Sequence, residues 1–250
     1  MKLVRYEVNG RCEWGSLEGQ LVRRISGDVF GEFELCECEI PVDEVRLLAP
    51  SVPSKIVAVG LNYRDHALEM GEELPDCPKI FMKPSTAVIG PMDDIVIPES
   101  SKRVDYEAEL ALVVKRKAKR VAPEEAADYI LGYCCFNDVT ARDLQRIDGQ
   151  WTRAKSFDTF APLGPAIDTS VSPEALEISL RVNGELRQRS NTSNLIFSPS
   201  HLLSFVSHVM TLLPGDVVAT GTPSGVGQLR SGDRVEVTIE GIGTLTNCVR

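Results

Sequence analysis

Histidine and aromatic residues are scarce in this 250-residue sequence, which has three histidines and 6% Phe, Trp and Tyr together. Cysteine occurs seven times but never as a C-x-x-C pair. A thiolate zinc framework is therefore not expected, and an odd thiol count in a chain this long does not read as a disulfide scaffold. No apolar run approaches the roughly 18 to 20 residues that cross a bilayer, and the opening Met-Lys-Leu-Val-Arg-Tyr-Glu has no signal-peptide apolar core. A cytoplasmic location with reduced thiols is expected. Positive charge is also in deficit: 27 Lys and Arg stand against 36 Asp and Glu, a net charge of −9. That balance argues against a surface built to neutralise phosphates, so neither nucleic acid nor membrane is an expected partner.

What is present is apolar material, 43% of the chain, enough for a sizeable core in one or two domains. Residues 1–50 read as strands and turns, with strands at 3–8, 21–23 and 29–33 and a hairpin signal at Asn9-Gly10. The stretch Leu48-Ala-Pro-Ser-Val-Pro-Ser54 reads as a linker, dividing a small N-terminal β domain, 1–51, from a larger domain, 52–250. Strands are then expected at 56–59, 80–82, 104–114, 133–136, 178–182, 217–219 and 235–239. Helices are expected at 63–70, stopped by Gly71, at 123–131, after Asp138, and at 200–210 with a serine cap. The class is α+β and strand-rich, without an internal repeat or the regular βαβ alternation of a doubly wound sheet. Gly221-Thr-Pro-Ser-Gly-Val-Gly227 lacks the lysine and spacing of a P-loop, although its amides and the Thr222 hydroxyl could hold a carboxylate.

The most informative segment is Val104-Asp-Tyr-Glu-Ala-Glu-Leu-Ala-Leu-Val-Val114. A period of two puts Val104, Tyr106, Ala108 and Leu110 on one face and Asp105, Glu107 and Glu109 on the other. The apolar run that follows marks a strand buried on both faces. Two buried carboxylates side by side repel unless a cation lies between them. Asp138 is a candidate third oxygen ligand, and three carboxylates without thiolate or imidazole favour a hard ion, Mg²⁺ or Mn²⁺. If Asp138 starts a helix, Arg142 and Gln145 follow on its face, suited to an anionic substrate. His66 and Glu69, at i and i+3 of the helix at 63–70, can form a general-base pair. Lys155 sits where charge is mixed with aromatic residues, and as a lone lysine it would ordinarily be a solvated side chain, while Cys134 and Cys135 are assigned to core packing. His201 and His208, seven apart, are read as structural.

Six segments occur in a characteristic order: VGLNYRDHALEMG at 59–71, IFMKPSTAVIGP at 80–91, VDYEAELALVV at 104–114, GYCCFNDVTARDLQ at 132–145, AKSFDTFAPLGP at 154–165 and PGDVVATGTPSGVG at 214–227. Together they resemble the fumarylacetoacetate hydrolase family over about residues 55–247. The resemblance implies a mixed β-sandwich roll as the catalytic fold, a homodimer, and Mg²⁺ or Mn²⁺ held by Glu107, Glu109 and Asp138. It also implies that His66 and Glu69 activate water from a short helix that orders over the site. Arg142, Gln145 and Lys155 would then stabilise an oxyanion or enolate, with Thr222 beside a substrate carboxylate. Residues 1–50 resemble the smaller N-terminal domain of many members only loosely.

The implied reaction is metal-dependent chemistry on a 2-oxo or 2-hydroxydienoic acid or diacid, passing through a pyruvate-like enolate. Hydrolysis of a C–C bond in an acylpyruvate is the first expectation, because the His66–Glu69 dyad is intact. The second is isomerisation or decarboxylation of a 2-hydroxyhepta-2,4-diene-1,7-dioate-like diacid or of oxaloacetate. A catalytically silent metal-binding homologue is the third.

Overall fold

Near-continuous apolar sequence buries the central strands on both faces. In Ala108–Val114 every residue is buried; Leu110, Leu112 and Val114 enter one apolar cluster, Ala111 and Val113 the other. Ile130–Asn137 behaves alike: the adjacent Cys134 and Cys135 point to opposite clusters, and burial pushes both thiols up, Cys135 to about 12. They are packing residues, and none of the seven cysteines is bonded to another.

The computed structural model describes residues 1–250. Its large mixed sheet runs Phe33–Pro41, Leu21–Gly27, Arg11–Glu18, Lys2–Val8, Ala161–Asp168, Ile130–Asn137, Ala108–Val114, Val217–Ala219, Lys55–Val59, Ile80–Pro84. Val217–Ala219 and Lys55–Val59 pair in parallel. A second sheet runs Glu185–Asn191, Glu177–Val182, Arg234–Ile239, Gly243–Val249, Asp94–Ile95, and a third joins Thr140–Ala141, Val104–Tyr106 and Gly227–Leu229. The N-terminal strands continue the large sheet through Lys2↔Asp168 and Leu3↔Ile167, and Leu3 and Ile25 share a cluster with Phe136 and Ile167. No helix is long and apolar enough to cross a membrane.

Several local expectations change. Residues 29–32 are turn rather than strand, and Phe33–Pro41 takes over the pairing. Arg11–Glu18 is a strand that weak alternation did not announce; the left-handed turn at Asn9 (φ 50°) and Gly10 (φ 73°) folds it onto Lys2–Val8. The helix expected at 123–131 is a 3₁₀ segment, Pro123–Tyr129. Helix α1, Arg64–Met70, ends at a left-handed Gly71 (φ 66°) as expected. Asp138 caps no helix: α2, Arg142–Asp148, begins four residues later with Ala141 at its N-cap. After α3, Thr152–Lys155, the last helix is α4, Pro199–Val209. Its cap is Ser198, whose hydroxyl accepts the His201 N–H at 3.3 Å, because proline fits the first turn where no N–H is needed.

The largest correction concerns 104–114, which is two strands and not one. Val104–Tyr106 belongs to the three-stranded sheet and Ala108–Val114 to the large one. Glu107 is the residue at which the chain changes sheets. Its N–H donates to Asn137 Oδ1 at 3.0 Å and its carbonyl accepts the Asp138 N–H at 2.9 Å.

Candidate active site

The register Ala108↔Asn137 sets Asp138, the first residue beyond its strand, opposite Glu107, while Glu109 stands one strand repeat away. Carboxylate oxygens of Glu107, Glu109 and Asp138 consequently lie within 4.8 Å of one another, and all three side chains are buried. The cations around them are distributed unequally. Lys155, at the end of α3, donates to Glu107 Oε2 at 2.9 Å and Asp138 Oδ2 at 2.5 Å. Lys83, buried on the edge strand, bonds Asp138 and the Val139 carbonyl at 3.0 Å. Arg142, at the start of α2, bonds Glu107, reaches Gln145 Oε1 at 2.7 Å and rests on Asp105 Oδ2 at 2.9 Å. Glu109 accepts only the Gly221 N–H, at 2.8 Å, and bonds no cation.

These placements set the protonation tendencies. Burial opposes ionisation of Glu107, but Lys155 and Arg142 outweigh it and hold the carboxyl at about 2. Burial also opposes the charge on Lys155, and Asp138 and Glu107 more than restore it. For Lys83 burial wins over Asp138 and lowers its affinity for the proton. Glu109 is pushed well up by burial, then by Asp138 and Glu107. A buried carboxylate facing two others without a counter-cation is what a hard divalent ion would satisfy, and the all-oxygen donor set fits Mg²⁺ or Mn²⁺.

A cavity of about 190 Å³ opens beside the triad. His66, Glu107, Arg142, Gln145, Lys155 and Thr222 all line it, with Phe81 and Trp151 as an aromatic wall whose ring centroids are 5.2 Å apart. Lys155 Nζ lies 4.9 Å from the Phe81 centroid. On α1, His66 Nδ1 is 3.0 Å from Glu69 Oε2, and Glu69 is itself held by the Gly225 N–H at 3.2 and 3.3 Å. The histidine side chain is 15% exposed and the glutamate 46%. Six of the nine candidate residues named from the sequence thus line one cavity, and the other three stand directly behind them, Glu69 against His66, and Glu109 and Asp138 against Glu107. His201 and His208 lie apart from it, one stacked on Phe197 and the other bonded at 2.9 Å to the Ser204 carbonyl.

Three buried polar residues of this region were not foreseen in their roles. Asp105, 1% exposed, accepts from Nε of both Arg103 and Arg142 at 2.9 Å. Lys83 and Gln188 are buried to a similar degree. The available signal was charge or amide in an otherwise apolar strand, visible for Lys83 in Ile-Phe-Met-Lys-Pro and faint for Gln188 among charged neighbours.

The fumarylacetoacetate (FAA) hydrolase C-terminal family matches residues 55–250, and the Rv2993c-like N-terminal family matches residues 1–50. The chain is 44% identical over 222 residues to the mitochondrial oxaloacetate tautomerase Fahd2a of Rattus norvegicus, covering 84% of this chain and 71% of that protein. The crystal structure of 5-carboxymethyl-2-hydroxymuconate delta-isomerase from Mycobacterium smegmatis superposes with a TM-score of 0.94 at 47% identity, covering 100% of this chain and 99% of the other. Maleylpyruvate hydrolase from Sphingobium sp. SYK-6, solved with manganese(II) and pyruvate, gives 0.84 at 31% identity, covering 100% and 98%. With the family match spanning most of its length and the strand-rich fold in agreement, the chain belongs to the fumarylacetoacetate hydrolase family of enzymes.

Proposed function

We propose that the enzyme moves a proton on a short 2-oxo acid, interconverting keto and enol forms, with C–C hydrolysis of an acylpyruvate as the second reading. The observation that carries this is the His66–Glu69 pair, 3.0 Å apart on the cavity that also holds the carboxylate triad. With Nδ1–H directed at Glu69, the Nε2 lone pair is left to take a proton, and the carboxylate stabilises the imidazolium that results. The Gly225 amide keeps Glu69 from swinging into solvent. Gln145 and Thr222 offer neutral polar groups to the substrate, while Lys155 and Arg142 add positive charge where an oxyanion would develop. A divalent ion on Glu107, Glu109 and Asp138 would supply Lewis-acid stabilisation of that charge.

The dyad that favours water activation serves equally well as a carrier of a carbon-bound proton. Two relatives above 40% identity are named a tautomerase and an isomerase, which supports proton transfer as the first reading. The hydrolase holding manganese and pyruvate supports the 2-oxo acid class and keeps hydrolysis as the second. The test is His66→Ala with Mn²⁺, assayed for enol-to-keto conversion of oxaloacetate by the loss of enol absorbance. kcat is expected to fall about 10²- to 10⁴-fold with Mn²⁺ affinity unchanged; an unaltered kcat removes the dyad from the mechanism. Pyruvate and acetate released from acetylpyruvate at a higher kcat/KM would move the assignment to hydrolysis.

A further inference from the structure

A buried amide next to the site has no part in the chemistry described so far. Gln188 lies on Glu185–Asn191, the edge strand of the five-stranded sheet, and is 1% exposed. Its Oε1 accepts the Ala108 N–H at 2.9 Å, between Glu107 and Glu109. Its Nε2 donates to Thr222 Oγ1 and to the Pro223 carbonyl, both at 2.9 Å, and lies 3.4 Å from the Ser224 carbonyl. These partners leave one orientation for the amide. Turned over, it would set its NH₂ against an N–H and its own oxygen against two carbonyls.

The consequence falls on Thr222. An oxygen that accepts from Nε2 has its hydroxyl proton directed elsewhere, and Thr222, 3% exposed, makes no other side-chain hydrogen bond within the protein. The residue lines the cavity, so the acceptor left for that proton is an oxygen of whatever fills it. We infer that Gln188 is a positioning residue that makes Thr222 an obligatory donor to an anionic substrate oxygen and ties that donor to the backbone between Glu107 and Glu109. A donor whose oxygen is itself hydrogen-bonded is polarised and binds an anion more strongly. The inference deepens the 2-oxo acid reading and rests on it.

Pyruvate affinity at saturating Mn²⁺, measured by calorimetry on the full chain, tests it, with Mn²⁺ affinity and Tm measured separately. Thr222→Val is expected to weaken pyruvate about 10- to 100-fold, the range for a lost hydrogen bond to a charged group, and Thr222→Ser to bind as the wild type does. Gln188→Met, which keeps the volume and removes the donor, should weaken pyruvate about 10-fold while Mn²⁺ affinity moves less than about three-fold. In the Thr222→Val background the same change should cost less than about two-fold, because the two act through one contact. Losses that multiply in the double variant would overturn the coupling. Wild-type pyruvate affinity in Thr222→Val would overturn the inference whether or not Gln188→Met folds. A wild type that ignores pyruvate in the presence of Mn²⁺ would overturn the 2-oxo acid reading itself, and this inference with it.

Discussion

Glu107 and Glu109 stand two residues apart, yet neutralising them should have opposite effects on the metal-free protein. Glu107 is held at about 2 against an ordinary 4.5 by Lys155 and Arg142, in spite of its burial. At about 1.4 kcal/mol per pH unit, that difference stabilises the fold by about 3 kcal/mol. The sign follows from the depressed value: the contribution is complete above pH 4.5 and disappears as pH falls from there toward 2. Glu107→Gln should therefore cost about 3 kcal/mol at pH 7, roughly 6 to 12 °C in Tm for a chain of this size. Glu109 is raised, by burial first and then by Asp138 and Glu107, so its ionisation opposes folding and stability declines as pH climbs from 4.5 toward the folded value. Glu109→Gln removes that penalty while its amide oxygen still accepts the Gly221 N–H. In EDTA this variant should melt at or above the wild-type temperature. Mn²⁺ at 100 times its Kd should raise wild-type stability by about 2.7 kcal/mol, roughly 5 to 11 °C, and Glu109→Gln should lose most of that gain. Thermal melts followed by circular dichroism at pH 7, with EDTA and with Mn²⁺, measure all of these quantities. A Glu109→Gln protein that melts as early in EDTA as Glu107→Gln, or that gains as much from Mn²⁺ as the wild type, would refute the charge distribution described here.

Two further outcomes test the supports of the site. Asp216 is buried and accepts the N–H groups of Ser54 (2.9 Å), Lys55 (3.2 Å) and Leu213 (2.8 Å), the Ser54 hydroxyl (2.7 Å) and the Lys55 ammonium. Burial opposes its charge, but Lys55, Ser54 and the Leu213 amide hold its carboxyl below the ordinary 3.8. Asp216→Ala should cost about 3 to 5 kcal/mol in urea unfolding at pH 7. The gap to the wild type should narrow only as pH drops below 3.8, since a depressed carboxyl stabilises above that value; a pH-independent gap would show that its charge is not what matters. Gly225 has φ +92°, and a Cβ there would sit 2.4 Å from the Arg187 carbonyl. Gly225→Ala must displace the amide that holds Glu69, so kcat should fall about 10²-fold with Mn²⁺ affinity retained, and an unchanged kcat would separate this loop from the dyad.

Apolar content and period-two alternation are local properties, and together they sufficed to place Ala108–Val114 in the core, with Glu107 just ahead of it and Glu109 near its start. Spacing on one turn likewise paired His66 with Glu69, because i and i+3 neighbours meet on any helix. The break at Glu107 left no trace in that pattern: Val104, Tyr106 and Ala108 fall in one cluster on both sides of it. Sheet membership is decided by partners far along the chain, Gly227–Leu229 for one piece and Val217–Ala219 for the other. For the same reason Asp138 looked like a helix cap, although its place opposite Glu107 comes from the pairing of two strands. Gln188 bears only a faint local mark, since the amide it accepts from is 80 residues away. By itself, then, the sequence determined which residues are candidates for the chemistry and which strand or helix face each occupies. Only the tertiary structure decided which acid goes without a cation, because Lys83, Arg142 and Lys155 reach Glu107 and Asp138 from three separate elements and none of them bonds Glu109.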